Sequence, residues 1–387
     1  MIEFELSDEQ RSLRELAARL AEDVYAPNAL EWDRNGTFLP AAERKRLASL
    51  GLLGIALPEE YGGGGGGLLD ALLVVEELAK VSQVPAFQVF EANAGPARVI
   101  DLFGSEDQKR RFLPPIIAGE TTVAISISEP DAGSAATDVQ TFAFREDDHY
   151  IIDGAKRWCS GAGHAEQYLV YVRLDKEPGH RGIGAIVVDR DTPGLTFGPN
   201  EELMGWHGIP SADMFFDGVR VPASNLIVDA GGFRDLFTAF SIERLGNSTM
   251  SLAIGQACLD RTARYVEQRK QFGKPIVEFQ MVQAALADMV IQVEAARHLV
   301  WRAAAAAGRG APKSLDASVA KCFANEMAKR VSDLAMQLHG GYGYAPEYEI
   351  ERFHRDAHGW ALAGGTPGIQ RIRIASEYLG RSFNQRV

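Results

Sequence analysis

The sequence predicts an α+β multidomain protein: an N-terminal α-helical domain, a middle β-barrel or β-sandwich domain, and a C-terminal four-helix bundle. Three observations carry this. The first third has apolar residues at helical spacing. From Thr121 to about residue 228 the texture changes to short β-branched and aromatic runs between turn residues. From Gly231 helical spacing returns in long segments that suit a bundle. The expected domains are residues 1–120, 121–229 and 230–387. A chain of 387 residues is long for a single core, which fits several packed units.

In the first domain Leu6, Leu13, Leu16, Leu20 and Val24 share one helix face, and Ser7 with Gln10 reads as a capping box that starts this helix. "AAERKRLASLGLLG" is a second helix stopped by glycine. "LPEEYGGGGGG" is a loop, because six consecutive glycines hold regular structure only at high entropic cost. "LLDALLVVEELAKVS" is apolar on nearly all sides and so a central helix, while "SEDQKRRFLPPIIAGE" is a charged helix that Pro114 and Pro115 should end. In the middle domain "REDD" joins two strands as a hairpin turn, and "EQYLVYVRL", "GIGAIVVDRD", "GLTFG" and "DMFFDGVRVP" continue the strand series. The third domain opens with a long helix through "DLFTAFSIERLGNS". A longer one follows with Val282, Ala285, Met289, Val293, Ala296 and Val300 as its stripe, then a third stopped by Gly340 and Gly341. A last helix is expected from Pro367 to Arg381.

Composition bounds the function. Hydrophobic residues make up 46% and charged residues 24%, as in ordinary globular proteins. The net charge of -12 disfavours a nucleic-acid-binding surface. Cys159, Cys258 and Cys322 lie far apart, without metal-ligand spacing, and their odd count argues against a disulfide framework; no metal is expected and a reduced cytoplasmic setting fits. The segment from Met1 lacks a signal peptide's apolar core, and no apolar run reaches the ~18 residues of a membrane span.

Four motifs stand in order: "ISEPDAGSAATD", "GAKRWCSGAG", "RKQFGKPIVEFQ" and "QLHGGYGYAPEYEIERFHRDA". On this helix–sheet–helix plan the whole chain resembles the acyl-CoA dehydrogenase family. The resemblance implies FAD, an acyl-CoA thioester, αβ-dehydrogenation, a homotetramer built as a dimer of dimers, and an electron-transferring flavoprotein as electron acceptor. It places Ser126, Ser128 and Ser134 in the loop that contacts flavin and substrate, with Ser134 near the CoA arm, and sets Trp158 and Ser160 against the flavin ring. It directs Arg269, Phe272 and Gln280 to a neighbouring subunit's FAD, and Gln337, Gly340 and Gly341 to the adenosine–pyrophosphate arm, with Thr366 also on the cofactor side. Read alone, the same residues make a capped turn, a core strand tryptophan, a basic helix end and a glycine C-cap. Neither glycine-rich stretch is a dinucleotide fingerprint, since neither follows a strand and opens a helix.

One family feature is missing. Removing a thioester α-proton needs a positioned carboxylate, and many relatives supply it from a "YEGT" sequence that here reads Ala363, Gly364, Gly365, Thr366. Relatives of the isovaleryl-CoA type carry the base on an earlier helix, at the position of Glu243 in "FSIERLGNS". Glu243 is therefore the expected catalytic base; without the resemblance it reads as a solvated helical glutamate near Arg244 or Arg261. Arg244, Gly364 and Gly365 are assigned to the substrate side, with the Gly364 N–H as a donor to the thioester carbonyl. Glu91 in "QVFEANAG" is a second carboxylate for the acyl pocket, as specificity residue, second base or surface group. The small "ALAGG" run suggests a branched, cyclic or otherwise bulky acyl group. The glutamine usual two residues after Thr366 is Gly368 here, which removes one adenine-side contact. Alternatives are an acyl group on a carrier protein, a flavin-binding scaffold without catalysis, and a desulfinase-like relative. The last replaces the Glu243 equivalent by an amide and uses a pocket arginine where "VPAFQVFEANAG" offers Phe87.

Overall fold

A computed structural model describes residues 5–383 apart from 175 and 178. The expectation for the segment beginning at Met1 lies, over residues 1–4, outside the described residues. The chain opens with α1 (Asp8–Leu20), capped as the sequence predicts: the Gln10 N–H donates to Ser7 Oγ at 3.2 Å and the Ser7 N–H to Gln10 Oε1 at 3.1 Å. A π-helical turn at Ala21–Tyr25 leads into α2 (Ala26–Asn35), a helix the sequence reading does not single out. Pro27 stands in its first turn, where the lost N–H costs little. After α3 (Ala41–Ser49), residues 54–67 form a tightly bonded turn rather than a slack loop. The N–H groups of Gly63, Gly64, Gly65 and Gly66 donate to the carbonyls of Pro58, Gly54, Leu57 and Ile55. A Cβ on Gly63 would stand 2.2 Å from the Leu57 carbonyl oxygen, so close backbone approach explains that glycine.

The central helix α4 (Leu68–Ala79) is buried along most of its length. Its two buried glutamates are paired: Glu76 with Arg297 and the Trp301 indole N–H, Glu77 with Arg14 and Lys80. Next come α5 (Gln83–Ala94), α6 (Pro96–Phe103) and α7 (Glu106–Ile117). Here one expectation is corrected: Pro114 and Pro115 do not end the helix but lie inside it. Proline's fixed φ is helical, and burial of Phe112, Leu113 and Ile116 holds the last turn despite two missing donors.

The middle unit is an eight-stranded sheet: β1 (Val123–Ser126), β2 (Phe142–Glu146), β3 (His149–Ser160), β4 (Gln167–Arg173), β5 (Ile183–Asp189), β6 (Leu195–Phe197), β7 (Ser211–Pro222) and β8 (Leu226–Val228), in spatial order β6-β7-β3-β2-β4-β5-β8 with β1 parallel to β4. The expected hairpin is present, β2 on β3, with Asp147 at φ 52° in its turn. The β3–β7 register shifts between Lys156 and Cys159, a bulge that re-aims the residues between them.

The rest is helical: α8 (Phe233–Gln268), a two-stranded ribbon β9 (Lys270–Gln271) and β10 (Lys274–Pro275), α9 (Gln280–Ala307), α10 (Ser314–His339), α11 (Ile350–Leu362) and α12 (Pro367–Leu379). α11 adds a helix to the four expected, packing on α8 and α10. Its amphipathic face buries Phe353, Ala357 and Trp360. One core joins the N- and C-terminal helices, and a second lies within the sheet. The site forms where α5, the edge of β1 and β3, α8, and the α11–α12 loop meet.

Candidate active site

A cavity of about 590 Å³ occupies that junction. Phe87, Phe90 and Glu91 reach it from α5, Ile125 from β1, Phe240, Glu243 and Asn247 from α8, Trp360 from α11, and Ala363 to Thr366 from the following loop. The walls are mostly apolar, so the two carboxyl groups dominate its chemistry. Glu243 and Asn247 stand one helical turn apart and so share a face of α8. Among the described residues neither Glu91 nor Glu243 has a hydrogen-bonding or ion-pair partner. Burial pushes the Glu243 carboxyl up to about 8, against the pull of Arg244 and Lys321. Glu91 is held well above the usual carboxylate range, by burial first and by the charge of Glu243 second. Two such groups in one apolar pocket resist being charged together.

Gly364 and Gly365 take φ of +68° and +88°, which glycine adopts without strain. A Cβ on Gly364 would lie 3.3 Å from Lys321 Cε and 3.8 Å from Asn247 Nδ2, so a buried lysine and an asparagine back this turn. Thr366 caps α12, its Oγ1 accepting from the Ile369 N–H at 3.3 Å. Gln370, buried in α12, donates to the Gly365 carbonyl at 3.0 Å.

Trp158 sits in the β3 bulge at φ +62° and is 51% exposed. The Arg157 guanidinium covers its ring at 4.2 Å and is itself held by Asp213 at 2.7 Å and Glu201 at 2.9 Å. An indole fixed on one side and bare on the other is a ready wall for a planar ring system. Ser128, Ser134 and Ser160 also line the cavity.

The structure thus gathers Glu91, Ser128, Ser134, Trp158, Ser160, Glu243, Gly364, Gly365 and Thr366 around one space. Two other expected residues turn away from it. Ser126 is buried in β1 with its hydroxyl on Met214 Sδ, and Arg244 lies behind α8, its guanidinium over Phe240 at 5.0 Å and Phe237 at 5.5 Å. Arg244 is not among the residues that line the cavity, where the sequence reading set it on the substrate side. Arg269, Phe272, Gln280, Gln337, Gly340 and Gly341 form no part of the lining. Phe272 is 93% exposed on the β9–β10 turn, Arg269 stacks on Tyr342 at 5.3 Å, and Gln280, Gln337, Gly340 and Gly341 are exposed. The sequence reading did not find Asn247, Lys321 and Asn325. Only Asn247 carried a signal, four residues after Glu243 on the same helix face.

The models of the N-terminal, middle and C-terminal domains of acyl-CoA dehydrogenase match residues 7–120, 124–219 and 230–379. A 3-sulfinopropanoyl-CoA desulfinase of Paraburkholderia xenovorans is 40% identical, with 99% of each chain covered. A mitochondrial isobutyryl-CoA dehydrogenase of Dictyostelium discoideum is 36% identical over 96% of this chain and 89% of its own. The structure of butyryl-CoA dehydrogenase from Megasphaera elsdenii superposes with a TM-score of 0.94 at 36% identity, covering 98% of this chain and 100% of that one.

Proposed function

The chain belongs to the acyl-CoA dehydrogenase family of FAD-dependent oxidoreductases, and on that premise we propose that it dehydrogenates a branched, cyclic or otherwise bulky acyl-CoA with Glu243 as the base. One observation carries the reading: Glu243 lines the cavity with no hydrogen-bonding or ion-pair partner among the described residues, while the loop from Ala363 to Thr366 brings no carboxyl to it. The cavity residues fit a flavin, because the bare face of Trp158 and the hydroxyls of Ser128, Ser160 and Thr366 supply an aromatic wall with polar edges. FAD held there would supply the hydride acceptor for the substrate's β-hydrogen.

The protein groups do the rest. Glu243 takes the α-proton: the C–H bond breaks, an O–H bond forms on the carboxyl, and the electron pair moves toward the thioester oxygen. The Gly364 N–H supplies a donor for that oxygen. The glycine loop leaves room for bulk next to the reacting carbons, and the likeness to an isobutyryl-CoA enzyme supports a branched acyl group, as the butyryl-CoA enzyme supports a short one. Phe87 and Phe90 form an apolar wall that excludes water. The exposed Phe272, Gln280, Gln337, Gly340 and Gly341, with the half-buried Arg269, are proposed to meet a second copy's cofactor in a homotetramer, and an electron-transferring flavoprotein is the proposed electron acceptor. A desulfinase-like reaction is disfavoured by Phe87 and Glu243 together in the cavity, although the desulfinase relative is similar along its full length.

The test is anaerobic stopped-flow bleaching of the flavin by isovaleryl-, isobutyryl-, cyclohexanecarbonyl-, phenylpropionyl- and octanoyl-CoA, with wild type and Glu243→Gln. Rapid bleaching by a branched or cyclic thioester, abolished in the variant, is expected. Fastest bleaching by octanoyl-CoA would remove the substrate reading, and bleaching that survives in the variant would remove Glu243. With flavin bound, silence toward all five would favour a carrier-protein thioester or a desulfinase-like reaction.

A further inference from the structure

Glu91 is a carboxyl that the reaction above does not use. Every other residue of α5 is buried, and Glu91 alone keeps accessible surface. Its helix neighbours are covered, so that surface faces the cavity it lines. Phe87 stands one turn earlier on the same helix face. The rings of Phe87 and Phe90 pack on Trp360, with centroids 6.3 Å and 6.1 Å away. Trp360 in turn meets Trp206, from the loop between β6 and β7, at 4.4 Å. Four aromatic side chains therefore form one continuous wall of the cavity. The wall is held in place. The Trp360 indole N–H donates to Gln83 Oε1 at 2.7 Å. Asn93, two residues past Glu91, accepts from the Ala56 N–H at 3.0 Å and donates to the Leu52 carbonyl at 2.9 Å, which pins the turn of α5 that carries Glu91.

Among the described residues the Glu91 carboxyl has neither a hydrogen bond nor an ion pair, and Trp206, which borders the same cavity, has a buried indole N–H that is likewise without a partner. An acyl group that fills the cavity drives out water and must then replace its hydrogen bonds, or the polar atoms left behind disfavour binding. Charge narrows what that group can be. The arginines of the lining are engaged elsewhere, Arg157 with Asp213 and Glu201, Arg355 with Asp33 and Glu351. Burial holds His358 below its ordinary value. No free cation therefore faces the cavity among the described residues, and an anionic acyl group is unsuited to it. Burial also favours the uncharged form of Glu91, which an ammonium would have to undo. A neutral hydroxyl fits, because it and an uncharged carboxyl can each give and take a hydrogen bond. The aromatic wall suits a ring, which presents its hydroxyl at a fixed distance with no chain rotamers to freeze.

We propose that Glu91 is a specificity residue of the acyl pocket: it hydrogen-bonds a hydroxyl on a ring seated against Phe87, Phe90, Trp206 and Trp360, so that the substrate class is a hydroxyaryl-alkanoyl thioester. This rests on the cavity being the acyl-CoA site, and the test does not depend on which residue is the base. Flavin-loaded wild type, Glu91→Gln and Glu91→Leu are titrated by calorimetry with the αβ-unsaturated thioesters 3-(4-hydroxyphenyl)acryloyl-CoA and 3-(3-hydroxyphenyl)acryloyl-CoA, and with the counterparts in which methyl replaces the hydroxyl. Methyl and hydroxyl differ little in volume, so the ratio of Kd within a pair reads the hydrogen bond. Wild type is expected to favour the hydroxyl of one pair by about tenfold or more. Glu91→Leu is expected to abolish or invert that preference, because the hydroxyl loses this partner. Glu91→Gln is expected to keep most of it, because the amide still donates and accepts. No preference in wild type for either hydroxyl, or a preference that survives in Glu91→Leu, overturns the role of Glu91 and leaves the dehydrogenase reading in place. No binding of any of these thioesters, with flavin bound, overturns both. Loss of flavin bleaching by 3-(4-methylphenyl)propionyl-CoA in Glu91→Gln would make Glu91 a base and also overturn the proposal.

Discussion

Glu243→Gln should stabilise the protein by an amount that grows as pH rises above about 4.5 and levels off above about 8. The carboxyl has an ordinary value of 4.5 and is pushed up to about 8 in the fold, chiefly by burial. Below about 4.5 it is protonated in both folded and unfolded chains and contributes nothing. Between the two values the unfolded chain has lost its proton while the native state keeps one, so stability falls as pH rises. Above about 8 both are ionised and the penalty is constant. The gap of about 3.5 corresponds to at most about 5 kcal/mol at ~1.36 kcal/mol per pH unit. The carboxyl borders an open cavity, where water and relaxation cut the cost to about 2 kcal/mol. Gln has nearly the same volume and no charge, so it escapes this penalty. Over 387 residues the unfolding entropy is roughly 0.8 kcal/mol per kelvin, which makes the gain about 2–3 °C in Tm. Scanning calorimetry of wild type and variant at matched flavin content, at pH 5 and pH 9, reads this directly. A Tm offset of equal size at both pH values, or a less stable variant at pH 9, would refute the reasoning that burial of this carboxyl is what raises its pKa.

Three other outcomes are expected. The profile of kcat/KM against pH should rise through a limb near 8, because Glu243 must be ionised to take the proton and is mostly protonated at neutral pH; Glu243→Gln should lose about 10²–10⁴-fold and flatten that limb. Trp158→Ala should weaken flavin retention on dilution while leaving the fold's circular dichroism unchanged, since the ring is 51% exposed and buries little core; full flavin occupancy in the variant would contradict its place beside the cofactor. Gly63→Ala should lower stability by about 2 kcal/mol or more, since the new Cβ would meet the Leu57 carbonyl oxygen at 2.2 Å, and an unchanged thermal midpoint would contradict the close approach.

Much of the fold was legible because its signals are local. The Ser7–Gln10 capping box, the apolar α4, the "REDD" hairpin and the long stripe of α9 each depend on neighbours a few residues away. The exceptions are instructive. Pro114 and Pro115 read as a stop, yet burial of Phe112 and Ile116 outweighs two lost hydrogen bonds. The six glycines read as slack, yet the N–H groups of Gly63 to Gly66 bind carbonyls of residues 54–58, Gly62 binds the Glu59 carbonyl and Gly67 the Asp70 carboxylate, in a fixed turn.

The site divides along the same line. The sequence by itself determined that a carboxylate stands on the α8 segment, that none stands at position 364, and that a tryptophan and serines accompany the sheet. These are matters of residue identity and order. Only the tertiary structure decided that Glu91 and Glu243, which lie far apart in sequence, share one apolar cavity, where burial raises both and the charge of Glu243 raises Glu91 further. It also turned Arg244 and Ser126 away and set Lys321 behind Gly364. The physical reason is that desolvation and Coulomb interactions depend on distance through space and on excluded water. Both are set by packing among helices that the sequence order does not reveal.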